Sequence, residues 1–354
     1  MANLRLFFAN YYATIVVEEK LPQGTERKEL FKMKLGVLTN LFGDMPFDEA
    51  LAKFKSLGIE AIEVGCGGYP GNAHCNPEVL LKDEGEFKKF VGTVEKYGLT
   101  LAALAVHGNS VHPNKEIAEG YRRDFEGAVL MAEKLGLDTV ITFSGCPGGS
   151  AEDKTPNWVT CPWPNDFGEV LDYQWNEVLI PYWREAVAFA NKHGVTKIAL
   201  EMHPGFCVYN PETLLRLREA VGDAIGANFD PSHLIWQGID PVAAIRTLKG
   251  AIYHVHAKDT KIDKYNSAKF GVLDTKSYAD EANRAWIFRA VGYGNGLDYW
   301  RDMISELRLV GYDKVMSIEH EDSLMTPDEG LAHAVKFLSE SIIRDPKPGS
   351  LGWI

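Results

Sequence analysis

The segment YRRDFEGAVLMAEKLGLDTVITFS, residues 121–144, joins one helix pattern to one strand pattern. Its first part places Phe125, Val129 and Ala132 on one face at helical spacing, and Gly136 marks the expected helix end. The strand pattern that follows, residues 139–144, is apolar nearly throughout. A strand of this kind needs cover on both of its faces, which favours a parallel sheet packed between helices.

The same alternation of strand and helix patterns extends over most of the chain. Eight β-rich apolar runs are residues 35–42, 61–66, 100–107, 139–144, 197–202, 225–230, 252–257 and 315–319. Eight strand–helix units close into a (β/α)8 TIM barrel, whose active site lies at the carboxyl ends of the strands. The sequence therefore predicts an α/β fold with one barrel domain over residues 33–354. Residues 1–32 show no clear periodicity of apolar residues and are predicted to be an N-terminal appendage.

Composition and charge exclude several classes of partner. Of the 354 residues, 37 are Lys or Arg and 49 are Asp or Glu, and this net charge of −12 repels nucleic acid and anionic membranes. The five cysteines are odd in number and scattered, so neither a disulfide framework nor a thiolate zinc site is indicated. The sequence predicts neither a signal peptide nor a membrane-spanning helix, and a cytoplasmic location is expected. A homo-oligomer and a partner subunit are both left open.

Two long connections interrupt the strand–helix pattern. Residues 146–173 are rich in Pro, Gly and Trp and are predicted to form a lid or rim loop. A second connection, residues 260–296, ends in the glycine-rich run 292–296. Such a run can hold phosphate at the start of a helix, but a plain turn into the helix is the favoured interpretation. Asp259, just before this connection, is expected to pair with Lys258 or to cap the loop.

Four acidic or imidazole side chains stand at corresponding places at the ends of strands five to eight. They are Glu201, Asp230, His256 and Glu319. Carboxylates are rarely buried without a partner, because removing a charge from water costs several kcal/mol, so a shared divalent cation is expected. Three carboxylates and one imidazole suit Mn2+ first, with Mg2+ or Co2+ as alternatives. His254 shares the strand face of His256 and is expected to lie in the core, the alternative being a pairing with Asp230.

Other polar residues near the strand ends are candidates for substrate contact. His107 and His233 are expected to touch substrate, and His107 is also a candidate general acid. His203 is equally well placed to touch substrate or to hydrogen-bond a metal ligand. Lys258 is placed to stabilise an enolate oxygen, a surface ion pair being the alternative. Arg289 is placed to reach a hydroxyl or carboxylate of the substrate or to form an ion pair at the rim.

These residues carry a resemblance to a known family. Glu201, Asp230 with His233 three residues later, His256 followed by Lys258 and Asp259, and Glu319 resemble the metal-site pattern of the xylose isomerase-like TIM barrels. This family contains sugar phosphate isomerases and epimerases, and ketose 3-epimerases and inosose dehydratases are its most similar members. The resemblance covers residue 33 to about residue 338. It implies that Glu201, Asp230, His256 and Glu319 hold the metal, and that Glu201 and Glu319 also move protons.

The predicted chemistry is proton abstraction next to a carbonyl of a small sugar or sugar derivative. A divalent metal polarises the carbonyl and acidifies the adjacent C–H, so one carboxylate removes the proton and a second returns it. The expected activity is isomerisation or epimerisation through a metal-bound enediolate. If the next carbon carries a leaving group, the same enediolate expels it. A lyase that cleaves 3-keto sugars or 3-keto-glycosides at a C–O or C–C bond is therefore the alternative.

Two further classes of function fit the barrel less well. A nuclease of the endonuclease IV type shares the barrel, but the net charge of −12 argues against DNA binding. A non-catalytic carbohydrate-binding subunit would have no use for four metal ligands. Metal analysis of the purified protein separates this last hypothesis from the enzymatic ones.

Overall fold

The computed structural model describes residues 33–345, and these residues form the predicted barrel. Eight parallel strands close in the order β1-β10-β7-β6-β5-β4-β3-β2, and β8 and β9 form a separate antiparallel hairpin. The strands are β1 Lys34–Leu38, β2 Ala61–Gly65, β3 Thr100–Ala105, β4 Thr139–Phe143, β5 Lys197–Glu201, β6 Ile225–Phe229, β7 Ile252–Ala257, β8 Asp259–Ile262, β9 Trp286–Arg289 and β10 Val315–Ile318. The predicted (β/α)8 fold is confirmed. The predicted appendage, residues 1–32, and residues 346–354 lie outside the described part.

Helices surround the barrel and cover the outer faces of its strands. They are α1 Phe47–Ser56, α2 Pro77–Leu80, α3 Glu84–Tyr97, α4 Lys115–Leu135, α5 Asp166–Asp172, α6 Ile180–Lys192, α7 Pro211–Val221, α8 Pro231–Trp236, α9 Pro241–Thr247, α10 Lys264–Phe270, α11 Leu297–Leu309 and α12 Pro327–Ser339. A π-helical stretch, Tyr173–Leu179, joins α5 to α6. Within residues 33–345, no helix has the length and apolar character needed to cross a membrane.

The segment at residues 121–144 folds as its pattern predicts. Phe125, Val129 and Ala132 are buried on the inner face of α4. The helix ends at Gly136, whose φ of 71° lies in the left-handed region that glycine adopts without steric cost. The β4 strand that follows is buried at four of its five residues. The cover that this apolar strand requires is thus supplied by the helices outside it and the barrel core inside it.

The first strand is shorter than the predicted run of residues 35–42. β1 ends at Leu38, and the chain turns through a 3-10 helix over Thr39–Phe42. The Gly43 N–H donates to the Asn40 carbonyl at 3.0 Å and extends this turn by one residue. The predicted apolar run is therefore divided between a strand and a tight turn. The other seven predicted runs each contain one barrel strand.

The long connection at residues 260–296 contains the β8–β9 hairpin and closes on a buried carboxylate. Asp259 Oδ2 accepts the backbone N–H groups of Gly292 at 3.0 Å, Gly294 at 3.2 Å and Asn295 at 2.9 Å. Asp259 therefore caps the loop, one of the two roles predicted for it. The N–H groups that a phosphate would need already donate to this carboxylate. Residues 292–296 therefore form a turn into the helix, as the favoured interpretation predicts.

Replacing Asp259 by Asn is expected to lower the free energy of unfolding by about 3 kcal/mol, since a neutral amide weakens several buried, charge-assisted hydrogen bonds at once. Urea denaturation measures the loss. The matched control is Asp263→Asn. Asp263 is exposed and caps α10 through the N–H groups of Tyr265 and Asn266, and Asn caps helices equally well. Similar losses in both variants would show that the buried position of Asp259 is unimportant.

Candidate metal centre

Four side chains meet at the carboxyl ends of strands β5, β6, β7 and β10. Glu201 is the last residue of β5, Asp230 follows β6, His256 lies near the end of β7, and Glu319 follows β10. One ligand atom from each lies within 4.8 Å of the corresponding atoms of the other three. Glu201, Asp230 and His256 are buried, and the side chain of Glu319 is 15% exposed. The structure thus brings the four predicted metal ligands together.

Asp230 has one oxygen that is used in the fold and one that faces the cluster. Its Oδ1 accepts the Ser232 N–H at 2.8 Å and caps α8, which begins with Pro231. Its Oδ2 has no hydrogen-bond partner among residues 33–345, although Lys258 Nζ lies 3.1 Å away. Burial raises the pKa of Asp230 to about 7, the attraction of Lys258 opposing this shift and the charge of Glu201 adding to it. The ammonium of Lys258 therefore does not fully offset the effect of burial on this carboxylate.

His256 also presents an unpartnered atom to the cluster. Its Nδ1 lies 3.1 Å from Glu201 Oε2 and 3.0 Å from Glu319 Oε2, but it makes no hydrogen bond within the described residues. Burial alone would lower the pKa of His256, but the charges of Glu63 and Glu319 raise this pKa well above its usual value. The carboxylates on both sides of this imidazole, Glu63 at Nε2 and Glu319 at Nδ1, therefore favour a positive charge. Two unpartnered buried atoms, a nitrogen and an oxygen, beside two further carboxylates fit a divalent cation.

Glu201 receives three donors, two of which are histidines predicted from the sequence. His107 Nε2 lies 3.1 Å from Oε2, His233 Nε2 lies 3.1 Å from Oε1, and Asn228 Nδ2 donates to Oε2 at 3.0 Å. Burial would raise the pKa of Glu201, but the hydrogen bonds from His107 and His233, together with the nearby imidazole of His256, hold this pKa well below its usual value. Glu201 is thus anionic, and both histidines lie beside it. His233 Nε2 also lies 3.3 Å from Asp230 Oδ2.

Lys258 is buried against the carboxylates and does not form a surface ion pair. Its Nζ donates to Glu319 Oε2 at 2.8 Å and to Glu321 Oε2 at 3.2 Å, and the side chain is 2% exposed. Its ammonium also lies 4.8 Å from the centre of the Phe288 ring. Burial would raise the pKa of Glu319, but Lys258 and then His256 lower it to about 2. Glu319 is therefore held as an anion.

His203 and Arg289 lie beside this group with other partners. His203 Nδ1 lies 2.6 Å from the Pro204 carbonyl oxygen, and the centre of its ring is 4.0 Å from that of His233. Arg289 Nε donates to Asp322 Oδ2 at 2.8 Å, which is the rim ion pair considered for it. Contact of either residue with substrate stays a prediction.

Glu63 is the buried residue that the sequence reasoning missed. It lies in the middle of β2 and is 0% exposed. His254 Nε2 lies 2.9 Å from Glu63 Oε2, so His254 is buried as expected but pairs with Glu63 and not with Asp230. The signal was present in the run AIEVG, because one acidic residue within an apolar strand requires a buried partner.

Comparisons with known proteins agree with the fold. The model of the xylose isomerase-like TIM barrel family matches residues 51–341. The uncharacterized protein YfiH of Bacillus subtilis (strain 168) is 43% identical over 312 residues, which are 88% of this chain and 99% of YfiH. Two solved structures show the same fold at low identity. The probable 3-DHS dehydratase AsbF from Bacillus anthracis has a TM-score of 0.60 and 18% identity, covering 87% of this chain and 99% of AsbF.

The second solved structure, a D-tagatose 3-epimerase-like protein, has a TM-score of 0.59 and 20% identity, covering 87% of this chain and 98% of that one. One protein named a probable dehydratase and another named epimerase-like thus share this barrel. Because the family model matches most of the residues, the resemblance seen in the sequence is confirmed. The chain belongs to the xylose isomerase-like TIM barrel family.

Proposed function

We propose that the chain is a divalent-metal-dependent sugar isomerase or epimerase that abstracts a proton next to a carbonyl. The observation that carries this proposal is the cluster of Glu201, Asp230, His256 and Glu319, with ligand atoms within 4.8 Å of one another and two of these atoms unpartnered. Mn2+ is the first candidate, with Mg2+ and Co2+ as alternatives, because carboxylates outnumber imidazole and thiolates are absent from the set.

The four ligands would hold the ion, and their metal centre would supply Lewis-acid polarisation of the substrate carbonyl, an effect worth several kcal/mol. Glu201 and Glu319 are the candidates for removing a proton and returning it. They lie at the ends of two different barrel strands, β5 and β10. Lys258, 2.8 Å from Glu319, lies where its ammonium can stabilise negative charge on an enediolate oxygen. His107 and His233, both 3.1 Å from Glu201, orient that carboxylate and are placed to bind substrate hydroxyls.

A small sugar suits the surroundings of these residues. The rings of Phe143 and Phe206 stack with centres 4.3 Å apart, and His203 lies against Phe143 at 5.0 Å. Such a wall packs on the C–H face of a sugar, while the histidines and carboxylates bind its hydroxyls.

A lyase that acts on 3-keto sugars or 3-keto-glycosides is the second candidate. The placement of His107 favours it, because this imidazole lies within hydrogen-bond distance of Glu201 and is the candidate for protonating a departing oxygen. The similarity to the probable 3-DHS dehydratase AsbF supports the same chemistry, since dehydration is also an elimination. The two activities share the proton abstraction and differ in the fate of the enediolate.

Incubation of Mn2+-loaded protein with free ketohexoses in D2O is expected to place solvent deuterium in an epimer or isomer, detected by NMR and mass spectrometry. A parallel incubation with 3-keto-glucosides tests the second candidate, for which release of the aglycone is the expected signal. Protein treated with EDTA serves as the control for both. An absence of exchange and of aglycone release across both substrate sets would contradict the proposed chemistry.

The cytoplasmic location and the lack of nucleic-acid partners stay predictions, and so does the formation of a homo-oligomer or of a complex with a partner subunit. The net charge of −12 continues to oppose a nuclease function.

A further inference from the structure

A second buried group lies deeper in the barrel than the metal cluster. His254 and Ser317 precede His256 and Glu319 by two residues on β7 and β10, and Ser317 pairs with His256 in the sheet register. Both side chains bind Glu63: the Ser317 hydroxyl donates to Glu63 Oε2 at 2.8 Å, and His254 Nε2 lies 2.9 Å from the same oxygen. The exposure of these side chains is close to zero, so water does not compete for them.

His256 connects this group to the metal cluster. Its Nε2 lies 3.1 Å from Glu63 Oε1 and 3.0 Å from Glu63 Oε2, while its Nδ1 faces Glu201 and Glu319. A histidine binds a metal as the neutral imidazole, which has one N–H donor and one lone pair. A proton on Nε2 is held by the Glu63 carboxylate, which leaves the lone pair of Nδ1 directed at the metal cluster.

We propose that Glu63 is a positioning residue that fixes the tautomer and the ring orientation of His256 for metal binding through Nδ1. The inference rests on the proposed metal centre and assigns to β2 a role that the four ligands alone do not reveal. Carboxylates that accept the second N–H of a ligating histidine orient the ring and raise its basicity as a ligand. His254 and Ser317 in turn hold the Glu63 carboxylate in place.

A second cation among Glu63, His254 and His256 is the competing interpretation, because their ligand atoms also lie within 4.8 Å of one another. The hydrogen bonds disfavour it. Both Nε2 atoms and the Glu63 oxygens are already partnered, in contrast to Nδ1 of His256. An ion bound to Nε2 of His256 would also leave the ring proton on Nδ1. Nδ1 would then have no lone pair with which to bind a metal in the first cluster.

Replacing Glu63 by Gln tests the proposal through metal affinity. The amide has one acceptor oxygen and an NH2 group that opposes a protonated Nε2, so the Kd for Mn2+ is expected to rise about 10- to 100-fold in isothermal titration calorimetry. The matched control is Glu306→Gln. Glu306 is a buried carboxylate bound by Arg246 at 2.8 Å, outside both groups, and its variant is expected to bind Mn2+ within twofold of the unsubstituted protein. Circular dichroism establishes that both variants are folded.

A second measurement needs no substitution at Glu63. In Mg2+-saturated protein labelled with 15N-histidine, the resonance of His256, assigned by its loss in His256→Asn, is expected to show the ring proton on Nε2. A proton on Nδ1 or on both nitrogens would overturn the proposal. Unchanged Mn2+ affinity in Glu63→Gln would also overturn it, and so would the loss of a second bound Mn2+ in that variant. Failure of the unsubstituted protein to bind metal would overturn both the positioning role and the metal centre. Tight Mn2+ binding that depends on Glu63, without turnover of any sugar, would contradict only the proposed function.

Discussion

Replacing Glu319 by Gln is expected to lower the turnover of the substrate identified in D2O by about 10³-fold while the barrel remains folded. Glu319 follows β10 and is held as an anion by Lys258 at 2.8 Å, which lowers its pKa to about 2. Gln has nearly the same shape but cannot accept a proton from carbon, and its neutral oxygen is a weaker metal ligand. Steady-state kinetics measures the loss of kcat, and the rate of solvent deuterium exchange measures the loss of proton abstraction.

The neighbouring carboxylate supplies the matched control for this variant. Glu321 also accepts a hydrogen bond from Lys258, at 3.2 Å, but its side chain is 48% exposed and it is not a member of the four-ligand cluster. Glu321→Gln is therefore expected to change kcat less than tenfold. Turnover in Glu319→Gln that stays within tenfold of the unsubstituted protein would remove Glu319 from the proton-transfer step and leave it at most a metal ligand.

The barrel could be predicted from the sequence because its strands are buried on both faces. Such strands form continuous apolar runs such as residues 139–144, and a glycine such as Gly136 separates each helix from the next strand. The β8–β9 hairpin could not be predicted in the same way. Its strands have only four residues each and are separated by 23 intervening positions in the chain, so their pairing depends on contacts between distant residues.

The candidate site divides along the same line. Glu201, Asp230, His256 and Glu319 could be predicted as candidates because each interrupts an apolar run at its carboxyl end, where a barrel places its functional residues. Glu63 lies inside its strand, and its partner His256 is 193 positions away in the chain. Likewise, Arg289 binds Asp322, which lies 33 positions later in the chain. The local sequence does not determine whether Arg289 forms this ion pair at the rim or contacts substrate. Strand position is therefore encoded locally, whereas the partner of a buried charge is set by barrel closure.

Saturation with Mn2+ is expected to stabilise the folded chain, and removal of the metal with EDTA to abolish turnover. An ion that binds only the folded state at 100 times its Kd adds about 2.7 kcal/mol to the free energy of unfolding. The unpartnered Asp230 Oδ2 and His256 Nδ1 supply part of the physical reason, because the ion gives both atoms the partner that they lack in the protein alone. Urea denaturation with EDTA and with Mn2+ measures the difference, and restoration of turnover by Mn2+ after dialysis excludes irreversible damage by the chelator.

Asp230→Asn separates the metal effect from the structural role of Asp230. Asn retains the Oδ1 atom that accepts the Ser232 N–H and caps α8, while the second oxygen is replaced by an NH2 group that cannot bind a cation. The metal-free variant is expected to be at least as stable as the metal-free parent protein, because the substitution removes a buried carboxylate. Burial already raises the pKa of this carboxyl group to about 7. Addition of Mn2+ is expected to stabilise this variant by less than about 1 kcal/mol. Full stabilisation of Asp230→Asn by Mn2+ would show that the ion binds elsewhere, and loss of stability without metal would make Asp230 a structural residue first.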